Sequence, residues 1–291
     1  MSLSRNFLAA AIAATVIGAG CAQKTDTTRK TDAVSAPTGP NVVNVKATDF
    51  AFDAPAAIPA GLTTFKLTNA GPSLHHLIIA RLDSGKTVGD VQKYFSSSGP
   101  PPAWLVPVGG PNAPDPATES NATLDLKAGE YVMFCVVDVP GGVPHAAKGM
   151  IKQLTVTPST AAPAAAPAAD VKVTLADYSF TLSKPLTAGS HTIEVTTSAM
   201  QPHELELVRL APGKKTADFM KWIGDAMAGK APSGPPPGNA IGGVAPSAPG
   251  LTQYFTVDLT PGNYFMICFL PDPKDQKPHF AHGMLQEFTV Q

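Results

Sequence analysis

The chain has 291 residues, room for two ordinary domains, and a formal net charge of −1 with no basic block beyond its first thirty positions. That balance excludes nucleic-acid binding through a basic patch. Only 15% of the residues are charged, while 30 are proline and 25 glycine, a composition that excludes a helix-rich architecture and favours frequent turns.

Taken in chain order, residues 1–20 read as an export signal. Arg5 gives a positive start, and Phe7 to Ile17 is an apolar stretch too short for a comfortable membrane span. It ends in small residues before a cysteine, Gly18-Ala19-Gly20-Cys21. This stretch resembles a bacterial lipobox, which implies acylation of Cys21 and a membrane tether made by lipid alone. Plain secretion is the alternative. Residues 21–40 are polar and Thr-rich, a flexible tether.

The first domain is expected over residues 41–157. Thr63 to Thr68 alternates apolar and polar residues as a half-buried strand does, and Leu77 to Leu82 follows the first histidine as a further strand. Thr87 to Phe95 has helical spacing with Thr as N-cap. A long Gly/Pro-rich loop is expected over residues 96–121, then a core strand from Tyr131 to Val137. Residues 158–169 are a stiff Pro/Ala linker. The second domain, residues 170–291, repeats the plan. His191 to Thr196 is a strand with His191 on its polar face, and Leu205 to Leu210 follows. A helix spans Thr216 to Met227, again with Thr as N-cap, before a loop over 228–250 and a core strand from Tyr264 to Leu270.

The two domains are one unit written twice. Asp49-Phe50-Ala51-Phe52 matches Asp177-Tyr178-Ser179-Phe180, and His75 matches His203, at a constant offset of 128. With larger offsets, Asp125-Leu126 matches Asp258-Leu259, Cys135 matches Cys268, Pro144-His145 matches Pro278-His279, and Gly149-Met150 matches Gly283-Met284. About seven short strands per repeat with one short inserted helix predict an all-β fold of two tandem Greek-key β-sandwich domains.

Each repeat carries soft and borderline metal-binding side chains in one order: His75, Cys135, His145, Met150, and then His203, Cys268, His279, Met284. Thiolate, imidazole and thioether together favour copper over magnesium or calcium. A Cys135–Cys268 disulfide is the competing use of the two cysteines. Recurrence at equivalent core-strand positions weighs against it, because these should lie beyond disulfide reach. His282 competes with His279 in the second repeat only. His76, the counterpart of Glu204, reads as a neighbour of the first ligand, and Met220 and Met227 as helix packing.

These motifs resemble the plastocyanin/azurin family of cupredoxins. The likeness rests on an early histidine, as in Met200-Gln201-Pro202-His203. It rests also on a cysteine ending an aromatic-rich strand, as in Tyr131-Val132-Met133-Phe134-Cys135, and on four residues between the second histidine and the methionine in both repeats. The resemblance implies two cupredoxin-like sandwiches, each with one type 1 copper site, passing single electrons between redox partner proteins outside the cytoplasm. One departure is the segment between cysteine and second histidine, which has nine residues in the first repeat and ten in the second, against two to four in the family. The expectation is a chain that is not an enzyme. Multicopper oxidases and copper nitrite reductases need additional histidines, and no His-x-His pair exists among the seven histidines. Copper storage or delivery without redox duty, and a metal-free sandwich, are the alternatives.

Overall fold

A computed structural model describes residues 39–291 except 98, 231 and 232. The expected export signal, Cys21 and most of the tether lie outside the described residues. Among the described residues no helix is long and apolar enough to cross a membrane.

Two large sheets face each other through the described residues. One runs Ser179–Leu182, Val171–Ala176, Gly189–Thr197, Thr252–Leu259, then Glu119–Leu126, Gly61–Asn69, Asn41–Thr48, Ala51–Asp53. The other runs Leu285–Val290, Gly262–Ile267, His203–Leu210, Gly238–Ser247, then Leu105–Gly109, Ile78–Leu82, Gly129–Phe134, Ile151–Thr157, Ala57–Pro59. Each list reads from the second repeat into the first with equivalent strands meeting in the middle. The fold is therefore all-β, two tandem cupredoxin-like sandwiches joined edge to edge. Period-two alternation builds the filling between the sheets: Phe65, Leu67, Leu124, Tyr131 and Met133 in the first half, Ile193, Val195, Leu207, Tyr264 and Met266 in the second. In both halves a buried tyrosine hydroxyl donates to a backbone carbonyl four residues upstream, Tyr131 to Lys127 at 2.9 Å and Tyr264 to Thr260 at 2.7 Å.

The junction obeys an internal two-fold axis. Pro111 faces Val244 as an isolated antiparallel bridge, and the two are separated by 133 residues, the interval between Asp125 and Asp258 in the repeat. Across the same axis Ala245 N–H donates to Gly110 O at 2.7 Å, and Asn112 N–H to Gly243 O at 3.2 Å. In the other sheet Gln253 pairs with Leu124 and Tyr254 with Thr123. Each half meets its counterpart through the same surface, the geometry of an isologous dimer within one chain. Closing two sheet edges against each other satisfies backbone groups that a lone sandwich would leave open.

This junction corrects the two long loops expected from sequence. The Gly/Pro-rich stretches contain the strands Leu105–Gly109 and Gly238–Ser247, and these are the strands that join the halves. Their prolines and paired glycines break any clean alternation, and each pairs within its own half across an intervening helix, Leu105–Gly109 with Ile78–Leu82 and Gly238–Ser247 with His203–Leu210, before the two meet at Val108 and Ser247. The helices are at the expected places, Val88–Phe95 and Thr216–Met227, packed on the outer face of the second sheet through Val91 and Phe219. Thr87 caps the first with a capping box to Asp90. In the second, the expected Thr216 cap is corrected to Lys215: Asp218 reaches back to the Lys215 N–H at 2.8 Å, and Thr216 is buried in the first turn. Met227 is exposed rather than packed. His191 is corrected from the polar to the buried strand face, beside Ile193 and Val195, where Asp170 and the Thr187 carbonyl engage its two ring nitrogens at 2.7 and 2.9 Å.

Candidate metal centres

In each half the alternation that fills the core also aims the cysteine. Tyr131 and Met133 point into the sandwich, Val132 and Phe134 outward onto the helix, so Cys135 at the strand end points inward. Tyr264, Met266 and Cys268 repeat this, with Phe265 and Ile267 outward. Met133 and Met266 thus share the thiol face, and Phe134 and Ile267 take the opposite one. Both cysteines are free and buried.

The long segment after each cysteine folds into an excursion that closes on its own neck. In the first half Asp138–Val139 pairs with Val143–Pro144, and His145 N–H donates to Val137 O at 2.8 Å. In the second, Pro271 bridges Pro278, and His279 N–H donates to Leu270 O at 2.8 Å. The histidine therefore returns two positions past the cysteine in space, whatever the length between. A short 3-10 turn follows, His145–Lys148 or His279–His282, ended by Gly149 or Gly283 in the left-handed region at φ 104° and 106°. That turn brings Met150 and Met284 back beside the cysteines, with Cys135 N–H donating to Met150 O at 3.3 Å and Cys268 N–H to Met284 O at 3.2 Å. Both methionines are fully buried.

The structure brings His75, Cys135 and His145 together, and likewise His203, Cys268 and His279, with their donor atoms all within 4.8 Å of one another. His145 Nδ1 lies 3.1 Å from His75 Nδ1 and 3.5 Å from Cys135 Sγ. Cys268 Sγ lies 3.3 Å from His279 Nδ1 and 4.0 Å from His203 Nδ1. Three donors in a plane about 2.1 Å from a central ion are about 3.6 Å apart, so these separations fit one ion per half. The His/Cys/His groups point to copper binding and electron transfer. His282 is turned away, with Nε2 at 3.1 Å from Asp275 and its ring against Tyr178.

Burial sets the protonation of the donors. It pushes the Cys135 thiol up to about 12, against the backbone N–H groups of Val137 and His76 that point at the sulfur. The Cys268 thiol is raised too, by burial and then by the Glu204 carboxyl, with the N–H groups of Glu204 and Leu270 opposing. Burial, then the neighbouring imidazole, lowers His145 and His279 to about 4. His75 and His203 are lowered by burial, partly offset by an aspartate each. At neutral pH all four rings are neutral and present lone pairs.

Several contacts around these groups were not read from the sequence. Asp49 and Asp177 lie against the outer nitrogens of His75 and His203, and the signal for them was their identity at the offset of 128. His76 Nε2 accepts from Val136 N–H at 2.8 Å, and Glu204 Oε1 from Phe269 N–H at 2.9 Å, so the counterpart residues each hold the amide just after a cysteine. Glu204 also accepts from the Asn112 side chain at 3.2 Å, across the junction. Phe50 covers the His145 ring and Tyr178 the His279 ring.

No family model matches the chain, and no curated relative matches it. Solved structures do. Auracyanin from the photosynthetic bacterium Roseiflexus castenholzii aligns at 21% identity over 41% of this chain and 99% of its own, with a TM-score of 0.29. A blue copper oxidase from Nitrosomonas europaea aligns at 15% identity over 87% of this chain and 86% of its own, TM-score 0.26. A copper-containing nitrite reductase from Thermus scotoductus aligns at 9% identity over 86% of this chain and 61% of its own, TM-score 0.24. The last two correct the expectation that the chain is not an enzyme. Enzymes of both classes set aside on their histidine count align along both halves, so that exclusion does not stand.

Proposed function

We propose that this chain is an exported copper-binding protein that transfers single electrons through type 1 sites, one in each half. His75, Cys135 and His145 supply the plane of the first and Met150 its weak fourth donor. His203, Cys268, His279 and Met284 do the same in the second. The observation that carries the reading is the convergence, twice, of two Nδ1 atoms and one thiol sulfur at separations suited to a single three-coordinate ion. Bound there, copper supplies one-electron exchange between its cuprous and cupric states. The chain's own residues hold the donors still through the change: the hairpin necks fix His145 and His279, the glycine-ended turns fix the methionines, and the buried walls exclude water. Redox partner proteins outside the cytoplasm would exchange the electrons. The sequence at Cys21 supports a lipid anchor as the only membrane contact.

Titrating the metal-free chain with cupric ion tests this. One copper per half, an intense visible thiolate absorption and a narrow copper EPR splitting are expected. Tight binding of colourless cuprous ion alone would instead mark a store or carrier of the metal, and no binding a metal-free sandwich.

Loading is also expected to depend on pH with a defined sign. The thiol of Cys135 is protonated below about 12, whereas His145 carries no extra proton above about 4. Binding at neutral pH therefore releases the thiol proton and none from His145. Apparent affinity should rise about tenfold per pH unit, and fall more steeply once acid begins to protonate the rings. Affinities measured from about pH 5.5 to 8, with proton release followed in weak buffer, check this. A flat profile excludes the thiol as ligand.

A further inference from the structure

His75 and His203 differ from the other two rings in what stands behind them. His75 Nε2 is 2.7 Å from Asp49 Oδ1, and His203 Nε2 is 3.0 Å from Asp177 Oδ1. In both halves the aspartate precedes its histidine by 26 residues and follows the first strand of the domain. The imidazoles are fully buried, while the carboxylates are 29% and 38% exposed, so the acids keep contact with water and the rings do not. His279 Nε2, in contrast, is buried with no hydrogen-bond partner among the described residues.

The surroundings are shaped for the pair in the first half. A Cβ on Gly71 would lie 2.6 Å from His75 Nε2 and 2.8 Å from Asp49 Oδ1, so the glycine leaves the space that the hydrogen bond occupies. Ser73 Oγ donates to the other carboxylate oxygen at 3.2 Å and fixes its orientation. At the matching position the second half has Ala199, and there the pair is the longer of the two.

We infer that Asp49 and Asp177 are positioning residues that lock His75 and His203 with the proton on Nε2, so that Nδ1 faces the thiol as a ready donor strengthened by the anion behind the ring. A carboxylate accepts but cannot donate, so it admits only the tautomer with hydrogen on the nitrogen it faces. The same hydrogen bond makes the opposite nitrogen more basic, as carboxylates do behind metal-binding histidines in general. Each site then has one fixed, electron-rich imidazole and one without such support. The affinity consequence rests on the copper reading above; the tautomer consequence does not.

The test compares the wild type with Asp49→Asn and Asp49→Ala, with Asp177→Ala as the parallel case. Ring nitrogen chemical shifts of the metal-free, nitrogen-15-labelled chain report the tautomer. In the wild type His75 should carry its proton on Nε2. In Asp49→Ala it should exchange between tautomers, while in Asp49→Asn, whose amide oxygen still accepts, the tautomer should persist. Cupric affinity of the first half should fall about ten- to a hundredfold in Asp49→Ala, with its reduction potential raised and the second half unchanged. Asp49→Asn should also raise the potential, because the anion is gone while the geometry remains. An unaltered His75 tautomer in Asp49→Ala overturns the inference, as does affinity within about twofold of wild type in a folded variant, against the general range. If Asp49→Ala does not fold, Asp177→Ala decides by the same readouts at His203 and the second half. If the wild type itself binds no copper, the copper reading fails, and the tautomer comparison still decides the positioning role.

Discussion

Replacing Cys135 with serine should remove the strong visible absorption of the first half and leave that of the second, so that total intensity falls to about half. The argument is chemical rather than steric. Cysteine and serine differ little in volume, and the side chain sits at the end of a buried strand among Tyr131, Met133 and Met150, so the sandwich is expected to persist. What changes is the donor. A thiolate is soft and gives charge-transfer colour with cupric copper, while a hydroxyl in the same dry position is hard and stays protonated. The two backbone N–H groups aimed at the sulfur, from His76 and Val137, then face a neutral oxygen. Cys268→Ser should remove the other half of the colour, and the double variant should be colourless, with the proton release on loading abolished as well. Absorption and EPR of the three loaded variants check this. Full colour in both single variants would show that neither thiol is a ligand.

The sequence exposed the elements whose signal is local. Thr63 to Thr68 carries its own alternation and Tyr131 to Phe134 is an apolar run of core-strand length, and both are strands in the structure. The grouping of His75, Cys135 and His145 became readable because the same residue types recur in order in the second repeat. Two features were hidden because they depend on distant partners. Leu105–Gly109 and Gly238–Ser247 pair with Ile78–Leu82 and His203–Leu210 across an intervening helix and meet each other at Val108 and Ser247, so no local signal marks them as strands. The long segments after Cys135 and Cys268 close at Val137 and Leu270, and sequence length alone does not show that neck. Asp49 and Asp177 were visible as identical residues in the repeat. Nothing in their spacing of 26 residues from the histidines announced a contact, because the turn that makes it is a property of the folded sheet.

The largest loss of stability is expected where the junction and the sites share a backbone contact. A Cβ on Gly110 would lie 2.0 Å from the Leu77 carbonyl oxygen, and one on Gly243 would lie 2.0 Å from that of Leu205. Both glycines have φ in the left-handed half of the map, +135° and +131°, and both accept the hydrogen bond that crosses the axis. The atoms in the way belong to main chain, so no rotamer change relieves the clash. Either the junction opens or the segment carrying the first histidine moves, since Leu77 and Leu205 each follow that histidine by two positions. Gly110→Ala should therefore cost about 2–6 kcal/mol, combining about 1–3 for the disfavoured backbone and about 1–3 for the overpacking. Gly85 provides the control: its φ is +80° and a Cβ there meets nothing within 4 Å, so Gly85→Ala should cost only the backbone part. For a domain pair of this size the difference should appear as a melting temperature several degrees lower in Gly110→Ala than in Gly85→Ala. The first half of Gly110→Ala should also bind copper more weakly, because His75 is displaced with the segment that runs through Leu77. Equal melting temperatures for the two variants would mean that the close approach of Gly110 to the Leu77 carbonyl is not needed for stability.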